Sequence, residues 1–140
     1  MKEWKDSQSE VSKVKRDSEM ARSILKMVRV RIRANERLEG DDFASLKLES
    51  YYEIIKEIIT ALMALDGYKT LSHEVLIGYL REFHSELHDD IYFIDNIRKL
   101  RHKISYKGFF INRDYLERDE WRIKEIIRKL EKMLVRKLED

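Results

Sequence analysis

The chain has 140 residues, the size of one domain, and such a chain buries roughly 68% of its unfolded surface without needing a staple. It contains no cysteine, which excludes disulfides, zinc–thiolate sites and thiol nucleophiles, and its four glycines and absent prolines are too few turn-makers for a β-sandwich or barrel. Charged side chains make up 40% of it, yet 29 basic and 27 acidic residues leave a net charge of only +2. Affinity for an anionic partner then has to come from local patches.

Nowhere does the apolar character extend over the roughly 18 residues of a membrane span, and Met1 to Glu10 is polar, without a signal-peptide core. The expectation is a soluble, cytoplasmic protein with no membrane partner. Gln8 is the single glutamine and asparagines number three, against many Lys, Arg and Glu. That is the bias of a thermophile, in which ion pairs replace thermolabile amides.

In chain order, Val11, Val14, Ser18, Ala21, Leu25, Val28 and Ile32 recur at steps of three and four. They predict one long helix over about residues 6–38, ended before Gly40. Val28 to Arg33 alternates like a strand, but it lies inside this 3.6-residue period with no turn signal on either side, so helix is preferred. A second helix is expected from Asp42 to Leu65, capped by Asp41 or Asp42, with Phe43, Leu46, Ile54, Ile55, Ile58, Ile59, Leu62 and Met63 as its apolar stripe. Gly67 ends it. Ser72 caps a third helix bearing Val75, Leu76, Tyr79, Leu80 and Phe83. Asp89 or Asp90 opens a fourth, with Ile94, Ile97, Leu100 and Ile104 on one side and Gly108 as its stop. A fifth runs from about Asp114 to Leu138. With no repeat and no linker, the pattern reads as a single all-α domain, an antiparallel up-and-down bundle of four main helices plus one more.

Charge is laid out in blocks. Residues 11–37 hold nine basic and three acidic side chains, whereas residues 39–66 hold seven acidic and two basic. Residues 82–95 carry five acids and no Lys or Arg; residues 98–107 carry five basic residues and no acid. Attraction between neighbouring helices explains such blocks without a ligand. The functional alternative is a basic groove built from Arg29, Arg31, Arg33 and the Arg98–Lys107 segment, suited to phosphate.

The fourth helix holds an arrangement that composition does not explain. At about 100° per residue with Ile97 at zero, Phe93, Ile94, Leu100 and Ile104 fall within about 60° of it, and Arg101 falls at about 40°, inside the apolar arc. Arg98 and Ser105 lie just beyond the edge of that arc, with His102 and Tyr106 on the opposite side at about 140° and 180°. An arginine so placed needs a carboxylate, a carbonyl or a phosphate to receive it. The structural expectation is an ion pair with an acid on the second helix or on a second chain.

Two stretches resemble the HEPN domain family. One runs from Tyr51-Tyr52-Glu53 through Leu65-Asp66-Gly67-Tyr68-Lys69 and Ser72-His73-Glu74-Val75-Leu76 to Leu80-Arg81-Glu82-Phe83. The other is Ile97-Arg98-Lys99-Leu100-Arg101-His102-Lys103-Ile104-Ser105-Tyr106-Lys107-Gly108, similar to the family's signature helix. The resemblance implies a helical bundle that dimerises. Many members are metal-independent ribonucleases, and many are paired with a minimal nucleotidyltransferase as toxin and antitoxin. The family pattern is an arginine, usually followed by asparagine, then a histidine four to six residues further on, often with a tyrosine two beyond. Here the arginine is Arg101, His102 holds the asparagine position, and Tyr106 stands where the histidine is expected. Some members are silenced by nucleotide transfer to the motif tyrosine; Tyr106 lies two residues before that place.

Metal-free RNA cleavage needs a base for the 2′-hydroxyl proton, an acid for the leaving oxygen and a cation near the phosphorane. Arg101 suits the cation, whereas an ordinary tyrosine, with a pKa of about 10, is a poor base at pH 7. Two functions follow as expectations. The first is a homodimer that binds RNA, a nucleotide or a partner nucleotidyltransferase through Arg98, Arg101, Lys103 and Lys107, without the family's usual catalysis. The second is a ribonuclease toxin in which Arg101 acts with His102 or Tyr106.

Other candidates are weaker. His84 and His88 are four apart, with Glu86 between them, but no third metal ligand is specified. His73 in the first turn of the third helix is expected to cap or pack. Tyr51, Tyr52, Tyr68 and Tyr79 suit base stacking or, at helical spacing, the core. No glycine-rich phosphate loop, Gly-x-Ser-x-Gly or His-Glu-x-x-His occurs, so no metal or cofactor is expected.

Overall fold

The computed structural model describes residues 2–140. Its helices are α1 (Ser18–Asn35), α2 (Ala44–Asp66), α3 (His73–Phe83), α4 (His88–Lys107) and α5 (Arg113–Glu139), and two three-residue strands, β1 (Val11–Lys13) and β2 (Tyr68–Thr70), pair antiparallel with Ser12 opposite Lys69. The all-α expectation holds apart from this small ribbon.

The axis of the molecule is α2, which packs against α1, α3, α4 and α5. Its sequence dictates that position. Isoleucines come in adjacent pairs, Ile54–Ile55 and Ile58–Ile59, so apolar side chains point to more than one side, and all four are buried together with Leu48, Leu62 and Leu65. Each such side chain contributes about 1.5–3 kcal/mol of burial, which a one-sided surface helix cannot collect along its whole length. Around this axis α1 packs through Ala21, Leu25 and Val28, and α5 through Ile123, Ile126, Ile127, Leu130 and Leu134.

Several helix ends follow from the sequence as expected. Ser72 Oγ accepts the Val75 N–H at 3.4 Å, and Gly67 and Gly108 close α2 and α4 at φ 85° and 66°. The start of α1 does not. In place of a helix from residue 6, the chain makes 3-10 turns at Trp4–Asp6 and Gln8–Glu10, then β1. Asp17 Oδ1 accepts the Met20 N–H at 3.0 Å and sets the true start. Val11 and Val14 match the helical period by coincidence: Val11 lies opposite Thr70 in the ribbon, and the Val14 N–H donates to the Gly67 carbonyl at 2.8 Å.

The N-terminal segment is anchored by Trp4, whose ring meets Tyr68, Tyr79 and Phe83 edge-on at 5.0, 6.0 and 5.3 Å. It passes so close to α3 that a Cβ on Gly78 would lie 2.5 Å from the Lys2 carbonyl oxygen. Only glycine fits there.

Two further expectations about α2 are corrected. Phe43 and Leu46 are 47% and 52% exposed, outside the buried stripe: Phe43 belongs to a 3-10 turn at Asp41–Phe43 that leads into α2, and Leu46 lies on the side of α2 away from the buried Ser45 and Leu48. Asp41 caps a different helix end: its Oδ1 accepts the backbone N–H of Arg113, the first residue of α5, at 3.0 Å. Asn112 completes that cap by accepting the Tyr115 N–H at 2.9 Å.

Some charges of these blocks pair between helices. Arg29 of α1 pairs with Glu131 of α5 at 2.9 Å, Lys47 of α2 with Glu120 of α5 at 3.1 Å, and Lys129 of α5 with Asp90 of α4 at 2.8 Å. Arg31 acts on Glu53 and Glu57 of α2. Arg29 is therefore balanced by Glu131, whereas among the described residues Arg31 makes no ion pair and its buried Nε has no hydrogen-bond partner. The second half of α4 is different.

Candidate phosphate-binding site

The two halves of α4 have opposite environments. In the first, Ile91, Ile94 and Ile97 are buried, and so is Asp95. Asp95 accepts from Arg98 Nε at 2.9 Å and meets Lys99 Nζ at 3.4 Å. Burial alone would raise the Asp95 pKa, but the Arg98 hydrogen bond and the two cations hold it below the usual carboxylate range. This anchors Arg98 by one edge of its guanidinium. Past Lys99 no residue of α4 is buried: Leu100, Arg101 and Ile104 are half-covered, and the others face solvent.

A depression of about 350 Å³ opens beside this second half. From α4 it is lined by Arg98, Arg101, His102 and Tyr106, from α2 by Tyr52, and from the start of α3 by Ser72, His73 and Glu74. Among the described residues Arg101 has no ion pair or hydrogen bond, so no acid of α2 receives it. His102 and Tyr106, one helical turn apart, bring their rings to 4.8 Å between centroids, and Tyr106 is 68% exposed.

The far wall is held more tightly. Tyr52 Oη lies 2.8 Å from His73 Nδ1, and the two rings stack at 5.6 Å with 18° between their planes. Burial pushes the Tyr52 phenol up to about 12, against the opposing pull of Arg98 and Arg101. The His73 pKa is lowered from its ordinary value, first by burial and then by the charges of Lys56, Arg101 and Arg98, with Glu53 opposing. His73 is thus a neutral imidazole at neutral pH, with Nδ1 engaged and Nε2 the nitrogen left over.

The helical wheel of α4 is corrected in one respect. It separated Arg101 from His102 and Tyr106 as residues of opposite sides. All three line one depression with Arg98, because together they sweep a continuous arc of about 140° and α4 is uncovered over that arc. Lys103 and Lys107 are exposed and lie outside the depression, extending positive charge along the helix.

The sequence predicts that His73 caps or packs and that Tyr52 stacks or joins the core; Ser72 makes the cap and His73 packs on Tyr52, but nothing in the sequence places either in this depression. Tyr51, Tyr52 and Tyr79 are core residues, as their helical spacing allows, and only the hydroxyl of Tyr52 reaches this site. The chain leaves helical geometry between α3 and α4, so His84 and His88 do not share a helix face: His84 meets Tyr79 Oη at 3.3 Å, and His88 packs edge-on against Tyr92 at 5.6 Å.

Compared with protein-family models, curated proteins and solved structures, the chain matches none. The HEPN resemblance therefore rests on the quoted residues alone.

Chemically, the depression offers two guanidinium groups, one of them without an ion pair, two imidazoles, an exposed aromatic ring and one carboxylate, Glu74. Guanidinium groups and an aromatic ring are the groups that suit a phosphate and a flat base.

Proposed function

We propose that the protein is a HEPN-like homodimer that binds RNA through the second half of α4, with a phosphate against Arg98 and Arg101 and a base on the His102–Tyr106 pair. The observation that carries this reading is Arg101: a half-covered guanidinium paired with no carboxylate, opening onto a depression that Arg98 shares. A single nucleotide fills only part of the available charge. Arg98 to Lys107 spans about 13 Å at about 1.5 Å per residue, so Lys103 and Lys107 lie where a continuing strand would run. Tyr106 in the position of the motif histidine argues against cleavage in the family's own manner.

Fluorescence anisotropy with a short single-stranded RNA tests the reading. Binding is expected to weaken with rising salt, and Arg101→Ala is expected to lose about 10- to 100-fold in affinity, the equivalent of one charge-assisted hydrogen bond. A folded wild type that leaves the RNA unbound at low salt overturns it.

The dimer part of the proposal needs a contact other than α1, whose apolar stripe is occupied by α2. Tyr92 of α4 and Trp121 of α5 remain exposed. Sedimentation at twice the 17.0 kDa chain mass is expected, and sedimentation at the chain mass overturns this part.

A further inference from the structure

We propose that a second cavity, between α1, α2, α3 and β2, binds a small aryl or short alkyl monocarboxylate. It shares no residue with the depression beside α4, so the inference stands apart from the RNA-binding reading.

The cavity measures about 180 Å³, and its walls are largely apolar: Met20 of α1, Met63 and Ala64 of α2, Tyr68 of β2 and Leu76 of α3. Met63, Ala64 and Leu76 are buried, which gives the cavity a packed floor. A dry apolar cavity of about 150 Å³ holds a benzene ring, so one ring or a chain of a few carbons sets the size of the guest.

The polar side chains of the wall already have partners. Thr60 Oγ1 donates to the Lys56 carbonyl at 2.9 Å. Thr70 Oγ1 donates to the Glu10 carbonyl at 2.8 Å and accepts the Ser72 N–H at 3.1 Å. The Asp17 carboxylate accepts the Met20 N–H at 3.0 Å and faces the positive end of the α1 dipole. These bonds leave little for a neutral polar guest.

Unspent charge remains at the rim. Lys15 stands just before α1 and Lys69 is the middle residue of β2. Both line the cavity, both are exposed, and among the described residues neither has an ion pair. An apolar floor beneath two unpaired ammonium groups matches a guest with an apolar body and one anionic end. The body gains from burial, while the carboxylate stays at the wet rim and keeps much of its hydration. Lysines act as point charges and require no bidentate geometry, so a compact carboxylate suffices.

The test is a titration with phenylacetate, followed by NMR on protein isotope-labelled at its methionine methyls. Met20 and Met63 line the cavity; Met27 and Met133 do not and serve as internal controls. Saturable shifts confined to Met20 and Met63 are expected, with a dissociation constant of about 1 mM or tighter. Phenylacetamide keeps the ring without the charge and is expected to bind about tenfold more weakly, and acetate, without the ring, to shift neither methyl. Replacing both rim lysines, Lys15→Gln with Lys69→Gln, is expected to weaken phenylacetate about tenfold and to leave phenylacetamide unchanged. Both positions are exposed, so the variant is expected to fold, and the same methyl spectrum reports it. Should it unfold, the comparison of acid with amide decides. Absence of a saturable shift at about 10 mM phenylacetate overturns the site. Equal affinity for acid and amide, or an undiminished affinity in the folded variant, overturns the anionic guest. Shifts at Met27 as large as those at Met20 mark non-specific contact and overturn it too.

Discussion

Tyr51 and Tyr52 are neighbours on α2, equally buried at 4% and 3% exposure, and their hydroxyls end in opposite kinds of surroundings. Tyr51 turns toward α5, where its Oη donates to Glu120 at 2.6 Å while Lys47 meets the same carboxylate at 3.1 Å. Burial pushes the Tyr51 phenol far up. It would raise Glu120 too, but the hydrogen bonds from Tyr51 and Lys47 hold that carboxyl below its ordinary range. Donor, acceptor and counter-charge are all present. Tyr52, about 100° further round the helix, meets a neutral imidazole next to an arginine that no acid neutralises. Equal burial of the rings says nothing about function; the difference lies in whether the charges around the hydroxyl cancel inside the fold.

The largest disruption removes the axis that carries both tyrosines. Ile58→Ala empties a fully buried position and is expected to cost about 2–5 kcal/mol in urea unfolding, weakening both sides together. A cleaner separation comes from Tyr51→Phe. It deprives Glu120 of one donor and is expected to cost about 1–3 kcal/mol while leaving RNA affinity unchanged. Acid titration sharpens the contrast on the same side. Because folding lowers the Glu120 pKa, its contribution is complete above the unfolded value of about 4.3 and is lost as pH falls through the lower folded value. Glu120→Gln should remove that share of the acid sensitivity, which denaturation midpoints at pH 6 and pH 3 would reveal. The smallest effect on stability belongs to Arg101→Ala. An arginine without an ion pair should change the unfolding free energy by no more than about 0.5 kcal/mol, even as RNA affinity falls. A loss of several kcal/mol would mean that the open side is structural after all.

What the sequence made legible follows one rule: signals carried by a single helix could be read, and signals carried by packing between helices could not. The α2 stripe from Ile54 to Met63, the Ser72 cap and the glycine stops after α2 and α4 are local, and the structure repeats them. Arg98, Arg101, His102 and Tyr106 stood out because they share α4. The start of α1 was misplaced because Val11 and Val14 fit a helical period by chance, while the partners that hold them, Thr70 and Gly67, lie more than fifty residues away. The place of His73 in the α4 depression was hidden for the same reason. Nothing near it in sequence announces that α3 will begin beside Tyr52 and Arg101, and a histidine in a first helical turn has an ordinary explanation.

Gly78 ties this geometry to the beginning of the chain. The Lys2 carbonyl rests where any side chain on that residue would stand, and Trp4 is wedged nearby between Tyr68, Tyr79 and Phe83. The helix that presents His73 is therefore held from its middle to its C-terminal end by residues from the start of the chain. In kinetic terms α3 reaches its final protection only after that distant segment has docked. Its amides and those around Trp4 should exchange with solvent as one cooperative unit, distinct from the slower axis of α2.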